Sequence, residues 1–241
     1  MYKESSILAI IPARGGSKGL PNKNILEIHG QPLISWTLAS AEESKLIDRV
    51  FVSTDSEEIA KVSADYGSNI PFLRPDAISR DESPSYELII HALDEFALRG
   101  ETFEYVALLE PTSPLRKKGD LDKAIKKCID NTSADALISF GSVHTEHPSI
   151  VKKLDKRGVV VPYVEDTPTI YQRQQADEAY FPYGVIYISK VSKFRETKSF
   201  YISSTIGYEI ERWQNYEIDD EYDFACVESI MKLKFSQFKR V

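Results

Sequence analysis

Apolar and polar positions along the chain follow two alternating rhythms. Ser6 to Ile11 (Ser-Ile-Leu-Ala-Ile-Ile) is a short continuous apolar run with β-branched residues, the pattern of a strand buried on both faces. Pro32 to Ser44 then places Leu33, Ile34, Leu38 and Ala41 at helical spacing, with proline near the first turn. Arg49 to Thr54 predicts a second strand, and Ser56 caps a helix from Glu57 to Tyr66 that Gly67 stops. A short strand is expected over Ile70 to Leu73, a helix over Tyr86 to Arg99, a strand over Tyr105 to Leu109, a helix over Gly119 to Asn131 and a strand over Ala136 to Phe140. Strand and helix alternating over about 140 residues predict an α/β fold with a doubly wound, mostly parallel sheet, its ligands beyond the strand C-termini.

The rhythm breaks between His144 and about Tyr183, where His, Pro, Tyr and charged residues mix around the apolar run Val159 to Val161. Short strands forming a projecting arm for dimer contacts suit that composition, so one domain over residues 1–241 is expected, with 144–183 as the excursion. Gly184 to Ser189 returns to strand, Ser203 to Ile210 suits an edge element, and Tyr222 to Phe238 closes the chain as a helix.

Length and charge narrow the function. The chain has 241 residues, enough for a substantial core, and a formal net charge of -7, which disfavours bulk nucleic-acid binding. Its N-terminal apolar run is too short for a signal-peptide core or a membrane span, and its two cysteines, Cys128 and Cys226, lie in helical patterns; a cytoplasmic protein with free thiols is expected.

Against this acidic background one loop stands out. Directly after the first strand comes Pro12-Ala-Arg-Gly-Gly-Ser-Lys-Gly-Leu-Pro-Asn-Lys-Asn24. Its glycines let backbone N–H groups approach phosphate oxygens, and Arg14, Lys18 and Lys23 supply charge-assisted hydrogen bonds, so it reads as a polyanion cradle or as a basic surface loop. It is not a Walker A loop, because Leu20 follows Gly19, and Gly-x-Gly-x-x-Gly is absent. A second rigid loop, Glu110-Pro-Thr-Ser-Pro-Leu-Arg116, follows the Tyr105 strand.

Ile11 to Asn24, Val52-Ser-Thr-Asp55, Leu73-Arg-Pro75, Leu108 to Arg116, Arg173-Gln-Gln175 and Ile218-Asp219 with Asp223-Phe224 together resemble the N-acylneuraminate cytidylyltransferases over almost the whole chain. The resemblance implies an enzyme that joins CMP from CTP to the anomeric hydroxyl of a nine-carbon 2-keto sugar acid, releases pyrophosphate, uses magnesium and forms a homodimer. It implies that Arg14 and Lys23 hold the triphosphate and stabilise departing pyrophosphate, with Ser17 and Lys18 beside them. Asn24, Arg74 and Ser85 match nucleotide-site residues, and Ala13 and Gly15 match backbone contacts to cytosine. Standing alone, Arg74 would sooner read as a helix-capping or salt-bridged surface arginine.

For the sugar acid, Glu110, Arg173 and Gln174 are the candidates. Here the chain departs from its relatives: Glu110 replaces a glutamine, and Tyr183-Gly184 replaces Asn-Gly. Legionaminate, pseudaminate and 3-deoxy-octulosonate therefore stay open beside sialic acid, as does a non-catalytic nucleotide-binding homologue. For the metal, hard oxygen ligands two apart on an extended segment project together, so Asp219 is the expected magnesium ligand and Glu217 its direct or water-mediated partner. The same acidic cluster would also suit the N-terminus of the last helix. A glycosyltransferase would not need the Arg-Gly-Gly-Ser-Lys loop.

Overall fold

The computed structural model describes residues 2–16, 19–143, 146–164 and 177–238, without the side chains of 235–238. β1 (Ile7–Pro12) forms because its residues are apolar on both sides of the pleat. Ile7, Ala9 and Ile11 face one layer, with Ile34 and Leu38 of α1 (Leu33–Glu43) and Leu121 and Ile125 of α4 (Asp120–Asp130). Leu8 and Ile10 face the other, with Leu88, Ala92 and Phe96 of α3 (Ser85–Leu98). Residues 7–11 are 0% exposed, which is why the run reads as continuously apolar rather than alternating.

The central sheet also contains β4 (Arg49–Ser53), β5 (Tyr105–Leu108), β6 (Ala136–Ser142), β9 (Tyr180–Lys190) and β10 (Thr205–Glu209), in the order β10-β6-β9-β5-β1-β4. β1 pairs in parallel with β4 and β5, and β6 with β10; β9 runs antiparallel to β5 and β6. The doubly wound, mostly parallel architecture expected from the alternation is the one observed. From β1 the chain crosses to β4 on one side and returns to β5 on the other, so the C-terminal ends of β1 and β5 form a topological switch point, the usual ligand crevice of doubly wound sheets.

Ser56 caps α2 (Glu57–Asp65) by accepting from the Ile59 N–H, and Gly67 and Gly100 adopt the positive φ that ends a helix. The strand expected over Ile70 to Leu73 does not form. Pro71 offers no N–H for a ladder, and Phe72 instead packs against Phe51 and Phe96, with ring centroids at 4.5 and 5.3 Å. Two small antiparallel pairs lie outside the main sheet. β2 (Glu27–Ile28) and β3 (Gln31–Pro32) turn through His29 and Gly30, both at positive φ. β7 (Lys152–Leu154) and β8 (Val160–Pro162) form a hairpin within the segment expected to hold short strands.

Past β9 lies α5 (Val191–Thr197), which the sequence pattern does not announce because only one turn is apolar; Phe194 is its buried anchor. The last helix, α6 (Glu221–Phe238), closes a third cluster through Val227 and Met231 against Ile28, Leu33, Leu115 and Ile218. That cluster pins the segment before α6 to the loop after β5, where the Ile218 N–H donates to the Thr112 carbonyl at 2.9 Å.

Candidate active site

The glycine-rich loop leaves β1 still attached to β4: the Ala13 N–H donates to the Ser53 carbonyl at 2.9 Å, and the Gly15 N–H to Asp55 Oδ1 at 3.0 Å. Ala13 is fully buried and its side chain packs into the core layer that holds Ile11 and Ile34. The loop folds back through Asn22, at φ 53°, into a short 3-10 turn, Lys23–Ile25, where Asn24 Nδ2 donates to the Arg14 carbonyl at 3.2 Å. Lys23, whose side chain is only 14% exposed, spans to the far end of the sequence and donates to the Ile218 carbonyl at 2.8 Å and Asp219 Oδ1 at 2.9 Å. A Cβ on Gly19 would stand 2.3 Å from the Asp219 carbonyl oxygen, so glycine is required for the loop to touch that segment.

The facing wall is the stretch from Arg74 to Ser85. Arg74, 5% exposed, donates from Nε to Ser79 Oγ at 2.9 Å. Its Nη2 lies 3.7 Å from Asp55 Oδ1, an ion pair too long for a hydrogen bond, and has no hydrogen-bond partner among the described residues. Desolvation lowers the Arg74 pKa, and the nearby Asp55 carboxylate offsets part of that shift. A buried guanidinium N–H without an acceptor at the cavity wall is a ready donor to an anion. Arg14 is paired with Asp81 across the opening.

These elements enclose a cavity of about 340 Å³ at the C-terminal ends of β1 and β5. Arg14, Lys23, Asn24, Arg74, Ser85, Glu110 and Asp219, all named from the sequence, line it together. Arg80 and Asp81 line it as well and were not singled out; their only sequence signal is membership of the polar loop after Arg74-Pro75. Ser17, Lys18, Arg173 and Gln174 lie outside the described residues.

The two acidic residues expected to act on one metal have different employment. Glu217 Oε1 accepts from Ser113 Oγ at 2.6 Å and from the Gly184 N–H at 2.5 Å, behind the cavity wall, whereas the Asp219 side chain is 80% exposed and lines the cavity. Asp220 and Asp223 satisfy the start of α6: Asp220 Oδ1 accepts from the N–H groups of Tyr222 and Asp223, and Asp223 Oδ2 from those of Asp219 and Asp220. Helix capping thus accounts for those two carboxylates and not for Asp219.

A second cavity of about 280 Å³ adjoins the first through Ser85 and Glu110 and is walled by Tyr86, Tyr187, Phe200 and Tyr201. These aromatic residues were missed from the sequence, because Phe200 and Tyr201 follow a helix that the pattern does not reveal. Glu110 sits between the cavities. Desolvation and the neighbouring Glu217 carboxylate push its pKa up to about 7, and Arg116 only partly offsets them. The Arg116 guanidinium donates to the carbonyls of Glu110, Ser113, Gly184 and Val185 and to Thr37 Oγ1, tying the loop after β5 to β9. A larger cavity, about 460 Å³, opens near Trp213 and Met231, but its rim charges pair internally as Lys117–Glu211 and Lys118–Glu43.

Residues 8–234 match the family model described as cytidylyltransferase. The chain belongs to the cytidylyltransferase family. The sequence is 34% identical over 222 residues to the N-acylneuraminate cytidylyltransferase of Streptococcus agalactiae serotype V, covering 91% of this chain and 52% of that protein. It is also 34% identical over 229 residues to the CMP-N,N'-diacetyllegionaminic acid synthase of Legionella pneumophila, covering 94% of this chain and 97% of that protein. The chain thus spans about half the length of the first relative and nearly all of the second. A solved CMP:2-keto-3-deoxy-manno-octonic acid synthetase complexed with CTP superposes with a TM-score of 0.71 at 16% identity, covering 95% of this chain and 100% of that one, a likeness of fold. In this member of the family the resemblance carried by the two loops therefore coincides with the cavity their residues build.

Proposed function

We propose that this cytidylyltransferase transfers CMP from CTP to the anomeric hydroxyl of a nonulosonic sugar acid, releasing pyrophosphate. The observation that carries this is the pair of adjoining cavities: one lined by Arg14, Lys23, Arg74 and Arg80, the other by aromatic rings and a single shared carboxyl. A triphosphate matches the first by charge, and a sugar ring with apolar substituents matches the second. The relatives named for N-acylneuraminate and diacetyllegionaminate support the sugar class.

Arg14 and Lys23 are assigned to the triphosphate and the departing pyrophosphate, and Arg74, Asn24 and Ser85 to the nucleotide, with Ala13 and Gly15 presenting backbone to the base. Transfer at phosphorus needs little covalent help from the protein, so positioning and charge carry most of the rate. Magnesium fits the donor set: it binds one or two carboxylates and completes its shell with phosphate oxygens and water, and Asp219 offers one exposed carboxylate at the cavity edge. When bound, the ion would neutralise phosphate charge. Exposed Leu154, Val160 and Tyr163 on the β7–β8 hairpin support a homodimer, and a reaction that consumes CTP fits a cytoplasmic enzyme.

The test is pyrophosphate release from each of the four common nucleoside triphosphates, paired with sialic, legionaminic, pseudaminic and 3-deoxy-octulosonic acids. CTP with at least one nine-carbon acid is expected to react. Turnover with the eight-carbon acid alone would move the substrate class, and no release from CTP with any acid would remove the enzyme reading.

A further inference from the structure

The two cavities meet at one carboxyl group. Among the described residues only Ser85 and Glu110 belong to both walls, so a bond between a nucleotide in one cavity and a sugar in the other would form beside them. The Glu110 backbone is held at both ends: its N–H donates to the Gly184 carbonyl at 3.0 Å, and its carbonyl accepts from Arg116 Nη2 at 2.9 Å. Its side chain lies against Gly184, where an added Cβ would stand 2.4 Å from Glu110 Oε2 and 2.6 Å from Glu110 Cβ. A residue without a side chain at 184 is therefore what gives the carboxyl its place.

That carboxyl accepts no hydrogen bond from the described residues. The Gly184 N–H, on the residue its side chain packs against, is taken by Glu217. A partly desolvated carboxyl with no donor costs stability, and a bound ligand that brings a hydroxyl removes the cost. The other charged groups around it have partners of their own. Lys23 and Arg116 are cations, Glu217 Oε1 already accepts from Ser113 and Gly184, and Asp219 is held by Lys23 at the exposed edge.

We propose, resting on the transfer reaction above, that Glu110 is the catalytic base: it accepts a hydrogen bond from the anomeric hydroxyl of the sugar acid and takes its proton as that oxygen attacks the α-phosphorus of CTP. The hydroxyl O–H bond breaks toward Glu110, and the oxygen electron pair forms the new O–P bond. The bond from the α-phosphorus to its bridging oxygen breaks, and its electron pair leaves with pyrophosphate. Glu110 then returns the proton to solvent.

Steady-state kinetics and CTP binding of Glu110→Gln and Glu110→Ala test this, with and without added formate. Removal of the base is expected to lower kcat by about 10²–10⁴-fold while the CTP dissociation constant stays within about threefold. Formate is expected to restore turnover to the alanine variant, whose cavity admits it, and not to the glutamine variant. Glu110→Gln turnover within tenfold of the wild type overturns the proposal, as does an alanine variant that binds CTP and ignores formate. If the alanine variant does not fold, the glutamine kinetics decide. A wild type that releases no pyrophosphate from CTP removes the transfer reaction itself, whereas an active wild type with an active Glu110→Gln removes only the base.

Discussion

Glu110 shows how one residue can work against the fold that carries it. Its carboxyl titrates at about 7 in the folded protein, against about 4.5 for an ordinary glutamate, because desolvation and Glu217 both disfavour its charge. The folded state therefore holds this proton more tightly than the unfolded chain does. Its contribution to stability is fully present below pH 4.5, falls as pH rises through 7 and is gone above that, a swing on the order of 3 kcal/mol. Glu110→Gln is expected to remove that dependence, so the variant gains on the wild type between pH 5 and 7 and is the more stable of the two at pH 8. Urea unfolding at pH 5 and pH 8 checks it; equal midpoints for wild type and variant at both values would contradict it. That Glu110 belongs to a loop facing the cavity was legible in the sequence through its place in the Glu-Pro-Thr-Ser-Pro loop. Its neighbours were not, because Gly184 and Glu217 are 74 and 107 positions away and only the pairing of β5 with β9 and the docking of the segment before α6 bring them close.

At the scale of elements, the parts that pack on the sheet are those that the apolar pattern reveals. β1, α1, α3 and α4 each bury a stripe whose spacing is dictated by strand or helix geometry, so their existence follows from local sequence. The exceptions have local physical causes. Pro71 withholds an N–H and Phe72 turns inward, so Ile70 to Leu73 gains packing without pairing. The seven-residue α5 has one buried anchor and no caps that the sequence would advertise. The β7–β8 hairpin is the reverse case, an element that exposes its apolar residues: Leu154 is 69% and Val160 64% exposed. If it is the dimer arm, Leu154→Asp with Val160→Asp converts a dimer to a monomer in light scattering. Each chain should lose little stability of its own, since exposed substitutions usually stay within about 0.5 kcal/mol. A monomeric wild type would overturn the dimer proposal directly.

Across the whole molecule, an excess of acidic over basic side chains, 37 against 30, surrounds a cavity in which Arg14, Lys23, Arg74 and Arg80 converge. Electrostatics thus favour a small polyanion in one place and oppose nucleic acid over the rest of the surface. Saturating CTP, at about a hundred times its dissociation constant, is expected to stabilise the fold by about 2.7 kcal/mol, or roughly 5–10 °C in Tm for a chain of this size. Magnesium should add to that shift in the wild type, and Asp219→Asn should lose the magnesium increment while keeping the shift from CTP alone. A variant that keeps the full magnesium increment would remove Asp219 as the ligand. Glu217→Gln is expected to act through stability instead, since its carboxylate holds Ser113 and Gly184.

The sequence by itself determined the alternating elements, the parallel-sheet class and the two loops that line the cavity, because each depends on residues within a few positions of one another: apolar periodicity, a helix cap, glycines beside cations. Only the tertiary structure decided which carboxylates serve which purpose. Asp219, Asp220, Asp223 and Glu217 are chemically alike and nearly adjacent, and their roles diverge through what the fold sets opposite them: Lys23 for Asp219, the first turn of α6 for Asp220 and Asp223, Ser113 and Gly184 for Glu217. The aromatic second cavity was invisible for the same reason, since Tyr86, Tyr187 and Tyr201 share a wall only once α3, β9 and the segment after α5 have packed together.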